Sequence, residues 1–382
     1  MIGCLGAALR VWVYLQGRGY WLDEGSLLGN IQGKSPFDFS TPLTSDQLAP
    51  PGFLAAERVV VRLLGASPYA TRLIPLACGL SALALFGAIA GLILAPAAAI
   101  VAMALFAFND DLVYYSNELK PYSTDLAVGL VVTLLSLREV REGPSRRRLL
   151  GIAFLAAASP WFSFPSAFVV AGCGLTLLVH WLGTRRWNEA GALVAIAAAW
   201  AASVFLAYRM SSRLLAPSTS MYVFWDFAFL PFPPKTGGDL AKAAGILLET
   251  FVTPLNLVPR MLPYAFAAFA LLMTIRGARS LGRRDVATLA ILVAPLFVAL
   301  AASAIRRYPF HGRLILWLAP ALFLLIAEGV RLVRFRRGAA WYAFVLAFLM
   351  TYPVLSTLYE AVPPHYRDFN RHGDLRRNQF ME

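Results

Sequence analysis

The stretch YATRLIPLACGLSALALFGAIAGL, Tyr69 to Leu92, carries no charge after Arg72. About 20 such residues make a helix that spans the hydrocarbon core of a bilayer. Outward from it, comparable windows recur near 1–17, 95–113, 121–138, 148–162, 164–182, 189–209, 260–276, 286–305, 311–331 and 340–358. The whole chain is 59% hydrophobic and only 14% charged, with mean hydropathy +0.63. Soluble globules carry about a quarter charged residues. The pattern therefore predicts an all-α, polytopic transmembrane helical bundle of about 11 spans. It forms one domain, 1–358, followed by a short polar external tail, 359–382. Within this reading, Ser159 to Pro165 marks either a kink or a re-entrant turn, because Pro160 and Pro165 interrupt the helical pattern.

The net charge of +13 and pI near 10.0 could suggest nucleic acid. The arginines explain it otherwise. Arg138, Arg141, Arg146, Arg147 and Arg148 follow the fourth window, Arg185 and Arg186 the sixth, Arg276, Arg279, Arg283 and Arg284 the eighth, and Arg331, Arg334, Arg336 and Arg337 the tenth. All four clusters share one side, which the positive-inside rule makes cytoplasmic. A nucleic-acid partner is not expected. Cys4, Cys78 and Cys173 form no metal-binding or paired spacing and read as inert core thiols. Met1 to Gln16 lacks a cleavage site and reads as a short first span. Arg10 within it leaves open a start further upstream.

Loops 18–68, 114–120, 210–259 and 306–310 then lie outside, and the first holds interfacial helices. Asp23 and Glu24 follow Tyr20-Trp21-Leu22 in that first loop, where one carboxylate could act as a base and the other orient it or hold a metal. A plainer reading makes the pair a cap for a loop helix. Tyr20 and Trp21 are candidate cavity-lining groups. A second edge carries Asp110-Asp111 and Glu118-Leu119-Lys120-Pro121-Tyr122. Lys120 is an outer-face point charge suited to phosphate, with the Tyr122 hydroxyl beside it; alternatively both merely anchor the span. Glu118, Asp110 and Asp111 are candidate acidic or metal-assisting groups. A third edge, Arg306-Arg307-Tyr308-Pro309-Phe310-His311-Gly312-Arg313, places cations where a charge-directed topology would not. An anionic lipid, a pyrophosphate or an internal carboxylate must offset them, and these can take turns. His311 is a candidate lining group. Gln47 to Gly52 reads as a turn into an interfacial helix, with Arg58 a further phosphate contact. The common soluble-enzyme motifs are absent from the sequence.

The ordered set Trp21-Leu22-Asp23-Glu24, Ala49-Pro50-Pro51-Gly52, Glu118-Leu119-Lys120-Pro121-Tyr122-Ser123 and Tyr308-Pro309-Phe310-His311-Gly312-Arg313 resembles bacterial GT-C membrane glycosyltransferases. It is most similar to the branch related to protein O-mannosyltransferases and aminoarabinose lipid A transferases. The resemblance implies a polyprenyl-phosphate sugar donor, a lipid, polysaccharide or protein acceptor, and inverting transfer on the external face of a bacterial inner membrane. It implies Asp23 as base with Glu24 assisting, and Lys120, Arg306, Arg307 and Arg313 as donor-phosphate ligands. No cofactor is required, and a divalent cation is compatible with the acidic set. Many relatives continue into a soluble external domain, so acceptor recognition is expected to be reduced or supplied by another protein. The competing expectations are a lipid-linked sugar transporter or flippase, with mid-span charges and broken helices, and a non-catalytic glycolipid-binding subunit.

Overall fold

The computed structural model describes residues 1–215, 220–257 and 263–362. Most of the expected tail therefore lies outside the described residues, and the division at residue 358 stays an expectation. The regular elements among the described residues are helices: α1 (Ile2–Leu15), α2 (Leu22–Gly29), α3 (Pro51–Leu64), α4 (Pro68–Thr71), α5 (Leu73–Ile93), α6 (Pro96–Ala107), α7 (Asp110–Tyr115), α8 (Tyr122–Glu142) and α9 (Arg146–Ala158). There follow α10 (Ser166–Gly183), α11 (Trp187–Leu214), α12 (Ser220–Phe224), α13 (Gly237–Val252), α14 (Pro263–Arg284), α15 (Val286–Ala304), α16 (Ala319–Arg337) and α17 (Ala339–Ala361). Pro51, Pro68 and Pro96 open α3, α4 and α6 at positions whose amide has no intrahelical partner to lose.

Every apolar window lands on a helix, and six helical segments among the described residues are long and apolar enough to cross a membrane. Some windows are broken rather than continuous. The 95–113 window splits after α6, because the Asn109 side chain accepts from the Leu112 amide and starts α7 afresh. The 311–331 window opens as a 3-10 segment, Gly312–Leu318, before α16. The turn foreseen near Pro160 is a 3-10 turn, Ser159–Trp161, and the Trp161 indole donates to Ser203 Oγ at 3.0 Å.

The Gly312–Val333 segment is the centre of the bundle, with 83% of its most apolar window buried, against 22% for α11 and 17% for α17. Gly277 and Gly329 let α14 and α16 touch backbone to backbone. A Cβ on Gly277 would sit 1.9 Å from the Leu325 carbonyl oxygen, and one on Gly329 would sit 2.1 Å from that of Met273. Small residues at such crossings are the usual device where apolar burial cannot drive helices together in lipid. Arg10, the charge inside the first window, is fully buried and donates to the carbonyls of Phe106 and Ala107. It thereby satisfies the orphan acceptors at the end of α6. Cys4 is exposed on α1, so it is not a core thiol as expected; Cys173 is buried.

The ends of the bundle differ in charge use. At one end, Arg141 pairs with Asp285 at 2.9 Å, Arg148 with Glu139 at 2.9 Å, and Arg331 with Glu328 at 2.7 Å. These lie in the arginine-rich loops, where several of the arginines have an acidic neighbour. The other end gathers Asp23, Glu24, Glu118, Lys120 and Arg313.

Gly277→Val is expected to lower the thermal midpoint of the detergent-solubilised protein, since overpacking costs about 1–3 kcal/mol or more. Gly91→Val, where a Cβ meets nothing within 4 Å, should leave the midpoint unchanged.

Candidate active site

Helix α2 begins directly after Trp21 and places Asp23 and Glu24 in its first turn, where the helix dipole favours negative charge. Their roles then diverge. Glu24 turns inward and is fully buried. Its Oε1 accepts from Arg72 Nε at 2.8 Å and from the Leu119 amide at 2.8 Å. Its Oε2 accepts from Arg72 Nη2 at 2.8 Å and from the Trp21 amide at 3.0 Å, closing the start of the helix. Burial alone would push this carboxyl up, but Arg72 and Arg18 overcome it and bring it down to about 2. The capping reading is thus right for Glu24, with a buried arginine added.

Asp23 points the other way and stays a quarter exposed. Its Oδ2 accepts from Arg313 Nη2 at 2.7 Å. The Gln47 carboxamide accepts from Lys120 Nζ at 2.5 Å and also hydrogen-bonds Asp23, so it bridges the two. Burial raises the Asp23 carboxyl, yet Lys120 and Arg313 outweigh it and hold the group below its ordinary value. Lys120 is 5% exposed, and burial together with Arg313 moves its ammonium down while Asp23 opposes the change. The Arg313 guanidinium lies 5.8 Å from the centre of the Tyr122 ring. Asp23, Lys120, Tyr122 and Arg313, expected from three separate edges, therefore meet in one place.

Glu118 is 1% exposed, and neither carboxylate oxygen has a hydrogen-bond partner. Burial, then the charge of Glu24, pushes it up to about 7 against the pull of Arg313, Arg18 and Lys120. Tyr20 and Trp21 support the loop: the Tyr20 hydroxyl donates to the Ala66 carbonyl at 3.0 Å, and Trp21 caps α2.

Other candidates lie apart from this cluster. Arg306 pairs with Asp226 at 2.5 Å and stacks over Phe229, while Arg307 is exposed. His311 packs on Phe227, with ring centres 5.0 Å apart. Asp110 accepts from Asn256 Nδ2 at 2.5 Å and from Ser356, so it ties α7 to α17; Asp111 is buried beside it in sequence. Among the described residues no group of three His, Cys, Asp or Glu side chains is arranged to hold a metal. Arg58 donates to the carbonyls of Asp38 and Asn30 and braces the first loop.

Three residues were missed. Arg72 clamps Glu24 and also donates to the Arg18 and Gly19 carbonyls. Arg18, buried under Tyr114, donates to the Asn117 carbonyl at 2.6 Å. Gln47 bridges Asp23 and Lys120. A signal existed for the two arginines: both are cations at the outer edge of an apolar window, the same departure from the charge rule that singled out Arg313.

No protein-family model and no curated sequence matches the chain. Solved structures do. ArnT from Cupriavidus metallidurans bound to undecaprenyl phosphate is similar over 94% of this chain and 71% of that one, with TM-score 0.56 and 14% identity. Its apo form gives 0.54 and 14% over 94% and 70%. The Archaeoglobus fulgidus oligosaccharyltransferase in complex with Zn and sulfate gives 0.52 and 13% over 94% of this chain and 53% of that one. The chain thus spans about half the length of the oligosaccharyltransferase. It has the GT-C fold to which its motifs pointed.

Replacing Glu24 with Gln strands a buried guanidinium and is expected to cost about 3–5 kcal/mol of stability. Because the folded carboxyl sits near 2 and its ordinary value is 4.5, its contribution is full above 4.5 and lost as pH falls toward 2. Acid titration of unfolding should show this segment in the wild type and not in Glu24→Gln.

Proposed function

We propose that the chain is a membrane glycosyltransferase that moves a sugar from a polyprenyl-phosphate donor to an acceptor hydroxyl at the end of the bundle opposite the arginine-rich loops. By the charge rule that end faces the exterior of a bacterial inner membrane. The observation that carries the reading is the meeting of a partly exposed carboxylate with two cations, Lys120 and Arg313, in a GT-C fold. The similar ArnT structure holds undecaprenyl phosphate, the class of carrier proposed here.

In the resting site Asp23 is neutralised by Arg313 and Lys120, which makes it a poor base. A donor phosphate competes for those same cations. As they turn to the phosphate, Asp23 regains proton affinity and can accept a proton from the acceptor hydroxyl. The hydroxyl oxygen then attacks the anomeric carbon with inversion, and the bond to the phosphate oxygen breaks. Lys120 and Arg313 stabilise the departing oxyanion, and the ring of Tyr122 backs Arg313. Glu24 is a positioning residue: through the Leu119 amide and Arg72 it holds α2 against the segment that carries Lys120. Arg306, committed to Asp226, is not assigned to the donor. A lipid, polysaccharide or protein could supply the acceptor. A divalent cation is compatible with this chemistry.

The test is purified protein with radiolabelled polyprenyl-phosphate sugars and a panel of acceptors. Asp23→Asn should reduce turnover by about 10²–10⁴ while donor binding persists. Lys120→Ala should weaken donor binding as well as turnover, and Arg306→Ala should change neither appreciably. Donor movement across vesicles with no transfer to any acceptor would favour the transporter reading instead.

A further inference from the structure

Glu118 is the one carboxylate of the described cluster with nothing bonded to it. It is buried, and it feels charges from the segment after α1, the first turn of α2, the start of α8 and the 3-10 segment before α16. The charged and titratable groups that act on it come from each of these: Arg18, Glu24, Lys120, Tyr122 and Arg313. Glu24 is committed to Arg72, Asp23 to Arg313, and Lys120 to Gln47. A buried carboxylate without hydrogen bonds is expensive when ionised, so a reason for keeping one here is needed.

The charge inventory supplies it. Arg18, Arg72, Lys120 and Arg313 stand against Asp23, Glu24 and Glu118, so the cluster has one surplus positive charge with Glu118 ionised and two with it protonated. A lipid phosphodiester carries one negative charge; the phosphate monoester left after sugar transfer carries up to two, its second ionisation lying near pH 6. Glu118 can therefore match the cluster to either species by gaining or losing one proton.

On the transferase reading above, we propose that Glu118 is the proton store of the site, taking up the proton lost by the acceptor as the lipid carrier gains its second negative charge. The acceptor O–H bond breaks, its oxygen bonds the anomeric carbon, and the electron pair of the carbon–oxygen bond leaves with the phosphate. The proton passes by way of Asp23 to Glu118 and is released to water when the monoester departs. No electrons are exchanged and no co-reactant is consumed. Asp23, a quarter exposed, returns only toward its ordinary range when its cations turn to the phosphate, whereas burial pushes Glu118 up to about 7.

The experiment is calorimetric titration of the detergent-solubilised full chain with a short-chain polyprenyl monophosphate and with its methyl phosphodiester. It is run in two buffers of different ionisation enthalpy at about pH 8, where the free monoester is already a dianion. Wild type should take up close to one proton per monoester bound and almost none per diester, by linkage between charge and protonation. Glu118→Gln should bind both lipids without proton uptake. Equal proton uptake for the two lipids in the wild type overturns the proton store and leaves the transferase reading intact, as does uptake that survives in Glu118→Gln. Absence of binding by either lipid overturns both. Should Glu118→Gln fail to fold, the comparison of monoester with diester in the wild type still decides.

Discussion

The ion pair between Glu24 and Arg72 is the constraint on which the site depends. Both side chains are almost wholly removed from water, 0% and 3% exposed, and a charge there is tolerable only with its partner and a full set of hydrogen bonds. That requirement fixes geometry. Glu24 needs the Leu119 and Trp21 amides as well as Arg72, and Arg72 needs the Arg18 and Gly19 carbonyls. Three segments distant in sequence are thus held in one arrangement: the first loop, the start of α5 and the 117–120 turn. Asp23 and Lys120 ride on that frame, one residue from each of two clamped positions.

The frame also explains why the site keeps surplus positive charge in a poorly solvated place. An anion that enters finds cations already desolvated and close together, so only their turn away from Asp23 and Gln47 is left to perform. Until then Arg313 and Lys120 lean on Asp23, which offsets part of that charge in the resting protein. Gln47 links the two halves of this arrangement because an amide can accept from an ammonium and donate to a carboxylate at once. At the opposite end of the bundle, Arg141, Arg148 and Arg331 meet Asp285, Glu139 and Glu328 in ion pairs.

Much of the site was legible because buried or outward-placed charges in an apolar chain are costly and stand out. Asp23, Lys120 and Arg313 were found that way. Arg306 and Arg307 gave the same local signal, yet Arg306 finds Asp226 in a different loop, a partner that spacing along the chain does not disclose. Arg18 and Arg72 carried the signal too, but each sits at the rim of an apolar window and reads as its boundary. The adjacent Asp23 and Glu24 looked equivalent; a turn of α2 sends one to a buried clamp and the other to the open side.

The sequence by itself determined that the chain is a membrane-embedded helical bundle, where its long apolar helices lie though not α13 in the loop expected at 210–259, and which end carries unusual charges. Transfer of apolar groups from water is a local property of each segment, so composition along a window is enough to read it. Only the tertiary structure decided which charges meet. The bond from Arg313 to Asp23 joins residues 290 positions apart, and its existence depends on the relative placement of α2, the 117–120 turn and the segment before α16. No window of sequence contains that placement, because it arises from packing and from the need to pair every buried charge.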